Sequence, residues 1–236
     1  MKILGIDSSG LVASVALVTD GVMTGEYTIN NKKTHSQTLL PMLEAMLAMA
    51  DVKIGEVDAI AVAAGPGSFT GLRIGAATAK GLAVALDIPI VPVPTLEGLA
   101  ANFMNQDNLV CPLMDARRSQ AYYGIYSCSD NHIVAKCEQS VAPVEEIIDK
   151  VNQIGERVIF LGDGVPVFRE LLEQKVSVPF SYAMPQDNCQ RAGIIAGLGV
   201  QYLAEGKGIP AREFAPTYLR LSQAERERME KITTGK

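Results

Sequence analysis

The chain has no tryptophan, few aromatics of any kind (6%), only two histidines and only four cysteines in 236 residues. Each scarcity excludes something. His35 and His132 lie almost a hundred positions apart, so neither H-x-x-x-H nor H-E-x-x-H occurs, and a zinc or iron site on one helix is not expected. Cys111, Cys128, Cys137 and Cys189 form no C-x-x-C pair, so they read as free thiols in a reducing compartment. No G-x-S-x-G elbow is present, which removes the usual scaffold of a serine hydrolase. No apolar run approaches the ~18 residues of a membrane span, and the opening "MKILGIDSSG" meets Asp7 too soon to be a secretory leader. A cytoplasmic protein without membrane contact is expected. A basic excess is also missing: the formal net charge is −5, which argues against a free-standing nucleic-acid binder.

What is present is a packed globular chain, 48% hydrophobic and 20% charged. Lys2–Asp7, Val12–Val18 and Val22–Ile29 read as strands, the last two joined by an Asp20-Gly21 hairpin turn. Thr34–Ala50 has helical periodicity. Val57–Gly65 is an apolar strand of the kind covered on both faces. A small-residue helix to Leu86, a short strand over "IPIVPV" and a helix over Thr95–Met104 follow. The second half repeats this order: strands at Leu109–Asp115, Ala121–Ser127 and His132–Gln139, a helix from Val144, a strand over Arg157–Gly164, a helix from Val165, a short strand near Val176–Phe180 and a helix over Arg191–Glu205. The repeat implies a duplicated α/β fold with mixed sheets. The expected units are an N-terminal lobe over 1–106, a C-terminal lobe over 107–221 and a charged tail over 222–236.

The turns carry the chemistry to be weighed. "GIDSSG" is either a plain turn or a phosphate-holding hairpin, with Asp7, Ser8 and Ser9 as its polar groups. In the second half Asp115 ends a strand, and "LGDG" (Gly162, Asp163, Gly164) lies where a second phosphate loop would sit. Together these residues outline a weakened nucleotide cleft. "GPGSFTGLRIG" (Gly65–Gly75) fails both glycine-rich phosphate patterns: no lysine follows Gly71, and Thr70 stands where a dinucleotide fingerprint needs its third glycine. Ser68 or Thr70 reads instead as a helix N-cap. From there Gly71, Gly75 and Ala79 recur every four residues and set small residues on one helix face. Helical glycine costs roughly 1 kcal/mol against alanine, so a packing reason is expected. Upstream, Leu39, Leu43, Met46, Leu47 and Ala50 form an apolar stripe that Leu40, Met42 and Met49 widen. The wide helix is either buried on two sides within its own domain or, with the small-residue helix, meets another chain; in the second, favoured reading a bulky residue at Gly75 or Ala79 is expected to break that complex while leaving the monomer folded.

"MKILGIDSS", "HSQTLLPML", "AVAAGPGSFTGLRIG", "AKGLA" and "PTYLR", in that order, resemble the TsaB (YeaZ) family of bacterial tRNA threonylcarbamoyladenosine biosynthesis, from the first residue to about Arg220. The resemblance implies two duplicated actin/RNase H-like lobes with mixed central sheets flanked by helices. It implies a non-catalytic subunit that binds the catalytic paralogue TsaD and works with the ATPase TsaE, so that threonylcarbamoyl reaches N6 of the adenosine 3′ of the tRNA anticodon. TsaD-like proteins carry H-x-x-x-H on the helix where this chain has "HSQTLLP", with His35 alone. The family also homodimerises through the same two helices. The residues expected at that interface are His35, Leu39, Met42, Leu43, Met46, Phe69, Leu72, Arg73, Gly75, Ala76 and Ala79. No catalytic residue, intrinsic cofactor or metal is implied; ATP and magnesium would serve the partners, and tRNA would be reached through the complex, with Arg117–Arg118 as a local basic patch. A glycoprotease activity, sometimes attached to the family, finds no metal pair or nucleophile–base pair here. The alternative is an ATP-using kinase or ATPase of the actin-like class, with Asp7 positioning magnesium and Asp115 as base.

Overall fold

The computed structural model describes residues 1–31 and 33–220; the tail expected over 222–236 lies outside the described residues. Its first half holds β1 (Lys2–Asp7), β2 (Val12–Thr19), β3 (Val22–Asn30), α1 (His35–Met49), β4 (Ala59–Ala63), α2 (Phe69–Leu86), β5 (Ile90–Val93) and α3 (Thr95–Ala100). The second half holds β6 (Gln106–Asp115), β7 (Gln120–Ser129), β8 (His132–Pro143), α4 (Val144–Ile154), β9 (Val158–Leu161), α5 (Gly164–Lys175), β10 (Phe180–Tyr182) and α6 (Ala192–Ala204).

The two sheets have one topology used twice. The first runs β3-β2-β1-β4-β5 and the second β8-β7-β6-β9-β10. In each, three antiparallel strands are followed by two parallel ones, so both sheets are mixed. The first hairpin closes where Asp20 and Gly21 both take positive φ, 49° and 79°, as a primed turn requires. Ser68 caps α2 by accepting the Gly71 N–H at 3.2 Å. Gly155, at φ 77°, ends α4 in the left-handed conformation. The second sheet starts at Gln106, at the boundary expected between the lobes, and β10 begins at Phe180, where the sequence places the end of its strand.

Each sheet is covered on both faces, but not by helices of its own half alone. α1 and α2 cover one face of the first sheet with Leu39, Met42, Leu43, Met46, Ala76 and Ala79. Its other face is covered by α6, through Ile195, Ala196 and Leu198 against Ile3, Ala61 and Val91. Conversely, α3 packs on the second sheet through Leu96 and Leu99. Chain order therefore misassigns α6 to a lobe over 107–221. The first sheet supplies what the helix start lacks: Ser14 Oγ accepts the Ala192 N–H (2.8 Å) and Glu26 Oε1 accepts the Gly193 N–H (2.9 Å). Glu26 Oε2 also pairs with Arg191 Nη2 at 2.7 Å. The segment beyond α6 stays on the first half, where Phe214 is buried in the core beside α2 and Thr217 N–H donates to the Ala64 carbonyl at 2.7 Å.

Candidate functional site

The first hairpin turn is a closed knot of polar groups. Asp7 Oδ1 accepts both the Ser9 N–H (2.9 Å) and the Ser9 hydroxyl (2.7 Å). Burial pushes the Asp7 carboxyl up to about 6, with the two Ser9 bonds pulling the other way. Ser8 Oγ donates to the Gly71 carbonyl at 2.9 Å. His35 Nε2 donates to the Gly10 carbonyl at 2.9 Å, while its Nδ1 is buried without a hydrogen-bond partner among the described residues. His35 thus ties the start of α1 to this turn.

"GPGSFTGLRIG" wraps the same knot. A Cβ on Gly67 would lie 2.3 Å from the Ser9 carbonyl oxygen, one on Gly71 2.0 Å from that of Ser8, and one on Gly75 2.4 Å from Ser8 Oγ. The small-residue ladder is therefore filled by the chain's own turn, which corrects its assignment to an interface with another chain. Leu72, Gly75, Ala76 and Ala79 are buried, as are Leu39, Met42, Leu43 and Met46. Of the residues expected at the interface, only His35, Phe69 and Arg73 reach solvent.

The outward faces of the same two helices carry a different set. Leu40, Met49 and Val84 are 51%, 82% and 70% exposed. Pro41, Ala45 and Ala48 on α1 and Ala77, Gly81 and Ala85 on α2 are exposed beside them. Gly81 has open space where a Cβ would stand, so nothing among the described residues accounts for a glycine there.

Between the halves lies a cleft of about 420 Å³ lined by Ser9, Gly10, Gly67, Ser68, Phe69, Asp115, Arg117, Tyr122, Asp163 and Arg220 among others. Asp115 and Asp163 meet in it: the Asp115 N–H donates to Asp163 Oδ1 at 3.2 Å. Burial raises the Asp163 pKa. Asp115 Oδ2 is 3.0 Å from Arg117 Nη1. Asp7 and Ser8 do not line the cleft. The "LGDG" turn is packed rather than open: Cβ atoms on Gly162 and Gly164 would lie 2.3 and 2.9 Å from the Leu113 carbonyl oxygen, and the Gly162 N–H is taken by Asn188 at 2.8 Å. Its glycines thus admit β6, not a phosphate.

Two features of the cleft mouth are not anticipated by the sequence. Phe69 and Tyr218 stack in parallel, with centroids 4.7 Å apart and planes within 3°, and Arg73 Cζ lies 5.9 and 5.8 Å from their centroids. Arg220 donates to the Ala116 carbonyl, joining the last described residue to the second half. Arg117, Arg118 and Ser119 take consecutive left-handed conformations, φ 65°, 57° and 56°, at roughly 1–2 kcal/mol each. Among the described residues no group of three or more His, Cys, Asp or Glu side chains is placed to hold a metal ion, and no helix is long and apolar enough to cross a membrane.

Two duplicated five-stranded mixed sheets, joined across a cleft and flanked by exchanged helices, define the two-lobed actin/hexokinase-like class of α/β proteins. The family model described as TsaD, tRNA N6-adenosine threonylcarbamoyltransferase, matches residues 23–228. The tRNA threonylcarbamoyladenosine biosynthesis protein TsaB of Bacillus subtilis is 32% identical over 225 residues, covering 95% of this chain and 96% of that one. The protein of the same name from Escherichia coli is 29% identical, covering 93% and 95%. The structure of YeaZ from Pseudomonas aeruginosa superposes with a TM-score of 0.81 at 29% identity, covering 92% of this chain and 99% of that one. The chain belongs to the TsaB (YeaZ) family, within the wider family of the threonylcarbamoyltransferase.

Proposed function

We propose that this chain serves threonylcarbamoylation of N6 of the adenosine 3′ of the tRNA anticodon as a non-catalytic scaffold, docking a TsaD-like catalytic paralogue on the outward faces of α1 and α2. The carrying observation is Gly81: a mid-helix glycine with open space at its Cβ position, between exposed Ala77 and Val84 and beside a helix that exposes Leu40 and Met49. A small-residue notch flanked by apolar side chains lets a partner helix approach closely, and such patches on soluble chains mark interaction sites. A second copy of this chain would use the same faces in the absence of the paralogue. The family relationship supports the reading, since the relatives are named for tRNA threonylcarbamoyladenosine biosynthesis.

In this reading His35 has a structural task, holding the Gly10 carbonyl, in place of the metal ligation its counterpart in the paralogue performs. ATP and magnesium serve the paralogue and a TsaE-like ATPase, and the complex acts in the cytoplasm. The test is size-exclusion chromatography with light scattering, on the chain alone and mixed with the paralogue. A one-to-one complex that Gly81→Arg and Met49→Glu abolish is the expected result. Undiminished co-elution of both variants overturns the assignment of the docking face.

A further inference from the structure

The β6–β7 turn meets the fold through its backbone: the Ser119 carbonyl accepts the Val144 N–H at the start of α4 (3.2 Å), and the Arg117 N–H donates to Asp115 Oδ1 (2.7 Å). Arg117, Arg118 and Ser119 are all exposed and left-handed, a conformation that non-glycine residues hold chiefly at sites with another task. Arg117 leans on Asp115 but keeps a side chain 84% exposed, and Arg118 forms no ion pair among the described residues. The turn stands between two concavities. One is the cleft between the halves; the other, of about 530 Å³, lies between it and α5, walled by Val167 and Phe168.

Facing the turn across the cleft mouth is the Phe69–Tyr218 stack, with Tyr218 39% exposed and Arg73 and Arg220 beside it. Arg117 and Arg220 line this cleft, Arg73 lies against the stack, and Arg118 lines the second concavity. Asp115 pairs with Arg117, and Asp163 is buried against the Asp115 N–H, whereas Arg73, Arg118 and Arg220 form no ion pair among the described residues. Glu145 and Glu170 line the second concavity together with Arg118.

Guanidinium groups a few ångströms from an exposed aromatic stack are how proteins hold unstacked nucleotides. The arginines take phosphates, and a base extends the stack. We propose that the Arg117–Arg118 turn and Tyr218 form a direct contact surface for single-stranded RNA, taking backbone phosphates on the turn and a base on Tyr218. This rests on the tRNA-modification reading, which supplies an RNA loop as the substrate. It gives this subunit a hand on the RNA that its acidic overall charge disguises.

The test is fluorescence anisotropy with a labelled RNA anticodon hairpin, on the chain alone and on its mixture with the catalytic paralogue. Arg117→Gln/Arg118→Gln is expected to weaken binding about tenfold and to flatten the dependence of log K on log salt by roughly one to two units. Tyr218→Ala is expected to cost about tenfold, and Tyr218→Phe to restore it, since the ring and not the hydroxyl carries the base. All substituted side chains are exposed, so the variants are expected to stay folded, and circular dichroism checks this. Hairpin binding that is absent in both formats, unaltered by the variants, or displaced by millimolar ATP with magnesium overturns the proposal. The arginine variants lie off α1 and α2, so loss of co-elution by the unsubstituted chain would sink the scaffold reading alone.

Discussion

Ser8 Oγ occupies the space that a side chain on Gly75 would need: a Cβ built there lies 2.4 Å away. Ser8 is itself buried and bonded to the Gly71 carbonyl, so it cannot swing aside without losing that partner. Gly75→Val is therefore expected to destabilise the isolated chain by about 1–3 kcal/mol. Thermal unfolding of the monomer checks it. An unchanged Tm would mean that the turn yields. A loss of partner binding by this variant would report the fold, not the interface.

Gly81 is the contrasting case on the same helix. No atom of the described residues lies within 4 Å of its would-be Cβ, so Gly81→Ala should raise the stability of the chain alone by about 0.5–1 kcal/mol through helix propensity. The same methyl group should weaken docking by filling the notch where a partner helix approaches. Urea unfolding and co-elution, read together, separate the two effects. A variant that is more stable and binds equally well would show that the notch is not used.

The two glycines also mark where the sequence could be read and where it could not. The Asp20-Gly21 hairpin, the Ser68 cap and the repeated strand order all follow from local rules, and the structure reproduces them. A four-residue recurrence of small residues says that something approaches closely, but not whether it is a turn of the same chain or a helix of another. Gly71 and Gly75 face Ser8, and only Gly81 faces outward. The exchange of α3 and α6 was illegible because both helices are apolar nearly all round, and periodicity does not name the sheet that a helix covers. The Phe69–Tyr218 and Arg220–Ala116 clasps join positions more than a hundred residues apart, which no local pattern records.

Asp7 gives the chain a pH dependence of defined sign. Burial raises its carboxyl from 3.8 to about 6, so between those values the folded state holds a proton that the unfolded state releases. The stabilising effect of that proton is complete below about pH 4 and lost as the pH rises through 6. At pH 7 and above, the folded protein carries a buried carboxylate at an expense of about 3 kcal/mol. Asp7→Asn keeps an acceptor for the Ser9 N–H and hydroxyl without the charge. It is expected to be the more stable protein at pH 7.5, with the gap closing toward pH 4. Denaturant unfolding of both proteins across that range checks it, and parallel stability curves would refute the assignment to Asp7.

The attachment of α6 to the first sheet rests on polar groups as much as on its apolar face. Glu26 receives the Gly193 N–H on one oxygen and Arg191 on the other, with its side chain only 15% exposed. Glu26→Ala would leave a helix-start N–H and a half-buried guanidinium without an acceptor, and hydrogen bonds to charged groups are worth about 1.5–3 kcal/mol. Glu26→Gln keeps a carbonyl oxygen for the Gly193 N–H but loses the ion pair, so a smaller cost is expected. Hydrogen exchange gives the sharper measurement: amides at the start of α6 should lose protection in Glu26→Ala, while those of α4 and α5, on the other sheet, should not. Uniform loss across both sheets would mean that α6 detaches only when the whole molecule unfolds, and that the exchanged helices bind the two halves into one cooperative unit.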